Sequence, residues 1–370
     1  MPSWSLSSPW LVVGLALFAA ALLGLSAPRR RSPVPRVASV VAALLAGLAY
    51  TNASFAYFPQ LGDLVGPRPW PVLPAGSVQQ LASATGPWHA RPGMRQPRGA
   101  VTDLSISGRN SHTSRTQALV YLPPQYFSQP GRRFPVMYLI HGSPGVPLDW
   151  FRGAEAAQAG LAAARAGAPM ILVAPRMSRG WLADSECVDS PRQAVESYLV
   201  RDVLPQVDAL LRTDSRAGGR AIAGNSAGGY CALTLGLRHP ELFSYVAALS
   251  ALTRPSYAYG SLGDLFGHPP ALRHVIEQHT PSWLLRHWPS SRHVQVLLDV
   301  GDSDPLRQEV TRFAHLEEAL GQHPRLTIRH GGHTYRVWRP ALKDALMWFG
   351  QQSSPTVASG TAASARTPLT

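Results

Sequence analysis

Apolar and polar positions follow two different regimes along this chain. At the N-terminus, residues 10–26 (WLVVGLALFAAALLGLS) and 37–58 (VASVVAALLAGLAYTNASFAYF) are uncharged runs without polar alternation. A bilayer-spanning helix needs ~20 apolar residues, within a range of about 17–25, so both runs predict spanning helices. Residues 59–98 are rich in Pro, Gly and Trp, lack periodicity and predict a linker, ordered in part. From Gly99 the pattern changes to short apolar runs separated by amphipathic ones. GAVTDLSISGR and TQALVYLPPQYF predict two antiparallel strands, the second ended by Pro123-Pro124. FPVMYLI predicts a buried strand, and MILVAP, the run before Gly224, SYVAALSAL, residues 294–300 and residues 326–329 predict further strands. Helices are predicted over 153–166, from the turn after Gly224 to His239, over 310–321, and from the early 330s through Trp348. Ser190-Pro191-Arg192-Gln193 reads as a helix start, with Ser at the N-cap and Pro at the first helical position, and that helix should run to about Leu211. Strands alternating with helices imply an α/β domain with a mostly parallel sheet covered on both faces. The expected layout is a two-helix transmembrane anchor at 1–58, a linker at 59–98, a catalytic domain at 99–350 and a disordered low-complexity tail at 351–370.

Charge sets the expected orientation of the anchor. PRRRSPVPR separates the apolar runs, and its Arg29, Arg30, Arg31 and Arg36 should stay cytoplasmic. The remainder of the chain then lies outside the cytoplasm. Two variants remain open: cleavage of a signal-like unit near Ala53, or a first run that is itself a signal peptide, though it lacks a basic start. The 370 residues carry a formal charge of +13, almost all of it from Arg, with Lys343 the single lysine. Basic residues do not interleave with aromatics as in nucleic-acid grooves, so no nucleic-acid partner is expected, and the charge suits an anionic membrane or envelope surface. Cys187 and Cys231 have neither the number nor the spacing for a zinc site. There is also no glycine-rich phosphate loop, and neither a metal nor a cofactor is expected. An extracytoplasmic setting permits a disulfide between the two cysteines.

The candidate chemistry centres on Gly224-Asn225-Ser226-Ala227-Gly228, a G-x-S-x-G turn between a predicted strand and a predicted helix. Such a nucleophile elbow holds the serine above the sheet and needs small residues on both sides. A serine nucleophile requires a base, and the base an orienting acid. Asp304, past the glycine turn after LLDVGDSD, is the preferred acid, with Asp302 next and Asp299 within the strand as a structural residue. His333 in HGGH is the preferred base over His330. The N–H groups of Ala227 and of Ser143, in HGSPG after FPVMYLI, would form an oxyanion hole, with His141 bracing that loop. Trp150 and Trp181 are candidates for an apolar acyl pocket or for packing. The acidic loop with Asp184, Glu186 and Asp189 could receive a cationic acyl group or be a solvated loop ending in a helix cap. The Pro- and His-rich stretch 253–293 is expected to cover the site.

LIHGSPG with Asp149-Trp150, GNSAGGYCAL with RHPELFS, LDVGDSD and GGHTYRVWRPAL together resemble the esterase family of α/β-hydrolases. That family includes esterase D-like enzymes, feruloyl esterases and mycobacterial mycolyltransferases. The resemblance covers roughly residues 99–350. It implies the α/β-hydrolase fold and a Ser-acid-His carboxylesterase or acyltransferase, with Ser226, Asp304 and His333 as triad and Ala227 and Ser143 at the hole. The hormone-sensitive-lipase type also carries a SAGG elbow but pairs it with HGGG, where this chain has HGSPG. The resulting expectation is a membrane-anchored, extracytoplasmic serine esterase acting on an ester or lipid substrate. A mycolyltransferase-type acyltransferase and a non-catalytic envelope binding protein on the same fold are the alternatives.

Overall fold

Residues 100–329 supply one eight-stranded sheet among the described residues. Its strands are β1 (Ala100–Ile106), β2 (Thr116–Leu122), β3 (Val136–Ile140), β4 (Ile171–Pro175), β5 (Arg220–Asn225), β6 (Tyr245–Leu249), β7 (Gln295–Gly301) and β8 (Arg325–Arg329). The computed structural model describes residues 9–25, 34–57, 70, 73, 87, 95–178, 180 and 183–353. Strand order is β1-β2-β4-β3-β5-β6-β7-β8. β1 and β2 run antiparallel to their neighbours, and every pairing from β4 through β8 is parallel.

The near-continuous apolar runs follow from burial on both faces. Side chains alternate across a strand, and here both sets are buried. Val136, Tyr138 and Ile140 of β3 enter one core cluster, whereas Met137 and Leu139 enter the other. β6 divides in the same way, Val246 and Ala248 against Tyr245, Ala247 and Leu249. On the side opposite the first cluster lie helices built from Ala-rich and aromatic stretches.

In chain order the longer helices are α1 (Pro9–Leu25), α2 (Val34–Phe55), α3 (Ala156–Arg165), α4 (Ala227–Arg238), α5 (Arg307–Ala319) and α6 (Tyr335–Ser353). α4 and α5 cover one face of the sheet, while α3 and α6 cover the other. α6 continues to Ser353, so the helix runs past the expected domain end at 350. Residues 354–370, including most of the expected tail, lie outside the described residues, as do Trp181, Arg29, Arg30, Arg31 and most of 59–98.

The helix expected from Ser190 begins instead at Val195 and includes a π turn at Tyr198–Val203. Ser190 closes a turn of its own, its Oγ accepting from the N–H groups of Arg192 and Gln193. The helix is entered from Asp189, whose carboxylate accepts from Ser197 N at 2.9 Å and also from Ser197 Oγ. A Ser-Pro pair serves equally well in a turn and at a helix start, and here the turn prevails.

α1 and α2 pack against each other. Among the described residues only one helix, Val37–Phe55, is long and apolar enough to cross a membrane. α1 is 17 residues long, at the lower limit of the ~17–25 that span. At 1.5 Å per residue it rises ~25 Å, against a hydrocarbon core of ~30 Å. The expectation of two spanning helices is therefore reduced to one candidate span with a shorter helix beside it. Beyond α2, parts of the linker dock on the domain. Leu73 is buried and its N–H donates to Val101 O at 3.0 Å. Trp70 meets Tyr121 edge-on, with the Arg98 guanidinium 4.3 Å from its ring centre.

Candidate active site

β5 ends at Asn225 and α4 begins at Ala227, which leaves Ser226 to turn the chain alone. It does so at φ 56°, ψ −125°, a backbone state that costs a non-glycine residue energy and persists only where its surroundings enforce it. The glycines are what make the turn possible. A Cβ on Gly224 would collide with the Gly228 carbonyl, and one on Gly228 would collide with the carbonyls of Ile140 and His141. Ser226 N donates to Leu249 O at 2.9 Å, tying the elbow to β6.

Two further strand ends deliver its partners. His333 follows β8, and its Nε2 lies 2.9 Å from Ser226 Oγ. Asp304 follows β7, and its Oδ2 and Oδ1 lie 3.0 and 3.2 Å from His333 Nδ1. The two loops are interlaced. Ser303 N donates to Gly331 O, and a Cβ on Gly301 would collide with that same carbonyl. Burial alone would raise the Asp304 carboxyl. Hydrogen bonds from His333, the imidazole's charge, Ser250 and the Leu306 N–H outweigh it and hold the group below the usual carboxylate range. An ionised Asp304 accepts the Nδ1 proton, which leaves Nε2 as the acceptor facing the serine hydroxyl.

Residues 110–349 match the model of the Esterase family, described as Putative esterase. The chain belongs to that family. It is a carboxylic ester hydrolase by that membership. An uncharacterized protein of Corynebacterium glutamicum is 27% identical over 369 residues, covering 93% of this chain and 82% of its own. Esterase Rv1288 of Mycobacterium tuberculosis is 32% identical over 138 residues, 37% of this chain, and the chain spans only 28% of that relative's length. Among solved structures a ferulic acid esterase superposes with a TM-score of 0.59 at 23% identity, over 68% of this chain and 97% of its own, a likeness of fold.

The esterase's remaining candidates fall into two groups. Near Ser226 stand Gly142 and Ser143: a Cβ on Gly142 would lie 3.4 Å from Ser226 Cβ, so this loop passes directly beside Ser226. Ala227 is the first residue of α4, and its N–H has no acceptor within the helix. His141 supports the loop, with Nδ1 2.9 Å from Gly142 O and Nε2 accepting from Met177 N at 3.3 Å. Burial pushes its imidazole down, which keeps it neutral in that role.

The other candidates are not at the serine. Asp302 and His330 pair with each other, Oδ2 to Nδ1 at 3.0 Å, on the surface, where the His330 side chain is 98% exposed. Asp299 is buried and bound by Arg329 Nε at 2.7 Å. Trp150, a candidate for the acyl pocket, is buried in the core packed against α3 and α6. Glu186, a candidate for substrate contact, is also buried, and its Oε2 accepts from Ser256 N at 3.2 Å. Burial and the neighbouring Asp184 push its carboxyl up to about 9, so it is a neutral structural group at pH 7. The third candidate, Trp181, lies outside the described residues. Cys187 and Cys231 are joined, with 5.5 Å between their Cα atoms.

Three contributors escaped the sequence reading. Trp338 meets the His333 ring edge-on at 4.9 Å, and its Nε1 donates to Ser250 Oγ at 2.9 Å. Ser250 in turn contacts Asp304. This braces Asp304 and His333 from one side, a part that neither Ser250 in SYVAALSAL nor Trp338 within GGHTYRVWRPAL announces by residue type. The third is Tyr57, at the end of a run whose apolar character marks only a membrane segment. Its hydroxyl donates to Asp149 Oδ1 at 3.0 Å, and its ring meets Tyr335 edge-on at 5.3 Å. A cavity of about 770 Å3 opens at Ser226, Ser143, His333 and Trp338. Its opposite wall comes from α1 and α2, and not from 253–293, the stretch expected to cover the site. That stretch lies instead over the acidic loop, with Ala258 N donating to Asp184 and Ser256 N to Glu186.

Proposed function

We propose that the protein is a membrane-anchored serine esterase that hydrolyses a carboxylic ester through an acyl-enzyme on Ser226. The observation that carries this reading is the unbroken relay from Ser226 Oγ through His333 to Asp304 at the mouth of a cavity. Ser226 Oγ attacks the ester carbonyl carbon while His333 Nε2 takes the hydroxyl proton. Asp304 holds the imidazole in the required tautomer and stabilises its charged form. The N–H groups of Ala227 and Ser143 receive the oxyanion. Collapse breaks the carbon–oxygen bond to the alcohol, which leaves with the proton from Nε2. Water then adds to the acyl carbon, again giving a proton to His333, and the acid departs as Oγ is reprotonated.

Anchoring rests on the surface of the helices. Apart from Leu148, Tyr259 and Ile328, every exposed large hydrophobic residue among the described ones lies on α1 or α2. Isolated exposed apolar residues are ordinary, but contiguous patches mark interaction with protein or membrane. α2 is the proposed span. The Arg residues before it favour the cytoplasmic side for its N-terminus, and the catalytic domain then lies outside. The disulfide agrees with that compartment. The test is ester hydrolysis by the full chain in detergent. Ser226→Ala should lower kcat by on the order of 10^6 with the fold retained, and a variant that keeps a tenth of the activity would remove Ser226 from the role.

A further inference from the structure

The wall opposite Ser226 is built from α1 and α2. Leu11 and Leu15 of α1 and Leu45, Leu48, Ala49 and Phe55 of α2 face the same cavity as Ser226 and His333. At 1.5 Å per residue, Leu45 to Phe55 extends ~15 Å along α2, about half of a ~30 Å hydrocarbon core. The volume of about 770 Å3 lies in the upper part of the ~300–1,000 Å3 typical of small-molecule sites.

The chemistry of that wall selects the occupant. Its polar groups are three, Thr51, Asn52 and Tyr57, and each already has a partner: Thr51 Oγ1 donates to Gly47 O within the helix, and Tyr57 donates to Asp149. A sugar or a charged group placed there would lose water without gaining partners, whereas an alkyl chain loses nothing. The wall is also continuous with an exposed apolar surface, that of Val37, Val41 and Leu44 of α2, and contiguous surfaces of this kind mark interaction with protein or membrane. Tyr57 fixes the end of α2 against the domain, and its partner Asp149 also accepts from Val146 N at 2.7 Å, just past the Ser143 loop. The helix and the reacting centre are therefore held in one register.

We propose that this cavity takes the hydrocarbon chain of a membrane lipid ester, which enters sideways from the leaflet along α2 and presents its carbonyl to Ser226. The substrate class is then a long-chain ester, and Leu48 and Ala49 limit the chain that is accepted. This rests on the esterase reading above. The full chain in phospholipid vesicles should prefer p-nitrophenyl palmitate to p-nitrophenyl acetate by more than tenfold in kcat/KM. Each methylene that enters the groove should add about fourfold, from ~0.8 kcal/mol of burial per methylene and ~1.4 kcal/mol per tenfold. Ala49→Trp, which fills the groove, should lower the palmitate-to-acetate ratio at least tenfold, and an unchanged ratio overturns the proposal.

A binding measurement separates this claim from the chemistry and from misfolding of the groove variant. In Ser226→Ala, which lacks the nucleophile, a palmitoyl ester with a terminal diazirine should cross-link to α2 between residues 45 and 55. Unlabelled palmitoyl ester should compete it away. Competed cross-links with no hydrolysis by the unsubstituted chain would sustain the groove and sink the esterase reading. Cross-links confined to residues 253–293, or none that compete, would sink the groove whatever the activity.

Discussion

Asp304 and Asp302 stand two residues apart in one loop, and the structure separates them by partner. Asp304 is buried and accepts from His333, whereas Asp302 meets the exposed His330. The Asp302 carboxyl is held down to about 2 by the Gly331 N–H and by His330, as a well-solvated, hydrogen-bonded group should be. Asp304→Asn should therefore lower kcat by about 10^4, the effect of losing the base's tautomer, while Asp302→Asn should leave kcat within about twofold. Steady-state hydrolysis by both variants checks this, and the reverse order would transfer the role. Glu186 gives a pH prediction. Its carboxyl is raised in the folded chain, chiefly by burial, from the ordinary ~4.3 to about 9. The unfolded chain therefore binds fewer protons between these values, and stability falls as pH rises through that window. Glu186→Gln keeps the acceptor for Ser256 N without the ionisation. Its Tm should exceed that of the unsubstituted chain at pH 8, and the difference should vanish near pH 4. Its kcat/KM should not change, since Glu186 does not line the cavity. At this scale the elbow was legible because only glycines fit its close approaches, and the loops after two strands pointed to Asp304 and His333, which lie beside Ser226. Burial was not legible: Trp150 and Glu186 look like site residues in a motif-bearing sequence, yet both fill space away from Ser226.

The elements were read with uneven success for reasons that differ in kind. β3 to β7 are apolar on both faces, and a short doubly buried run has few alternatives to a parallel strand. β8 is the last strand of the sheet and largely exposed, and its alternation is weak, so only its position after α5 identifies it. The helix start at Val195 was missed because Ser190-Pro191 makes a turn that side-chain hydrogen bonds stabilise, and sequence does not rank the two uses. α1 has the 17 residues expected of it, the lower limit for a span, so its apolar composition alone does not make it one. The disulfide acts at this scale by linking the loop before the π turn to the second turn of α4. With its cysteines 44 positions apart in sequence, loop-closure entropy assigns it about 4 kcal/mol, at the upper end of the typical 2–4 kcal/mol. Urea denaturation of the Cys187→Ser, Cys231→Ser double variant should show a loss in that range, with no loss expected if the bond is absent from exported protein.

For the whole molecule the relation between anchor and domain matters most. Sequence placed the helices in the membrane and the triad in the domain but treated them as separate modules joined by a linker. The structure brings them to one cavity, through the contacts of Tyr57 with Asp149 and Tyr335. Such a contact is not legible, because it depends on where the end of α2 lies relative to the Ser143 loop. The proposed orientation has a direct readout. A reporter that is active only outside the cytoplasm, fused after the last residue, should be active, and activity of a cytoplasm-only reporter at the same site would reverse the topology. Both the groove and the orientation presuppose an activated serine at position 226. The most direct measurement of that is labelling of the full chain by a fluorophosphonate, followed by peptide mapping. The account predicts a single adduct on Ser226, abolished in His333→Ala as well as in Ser226→Ala. An adduct on another residue, or undiminished labelling of the His333→Ala chain, would contradict it.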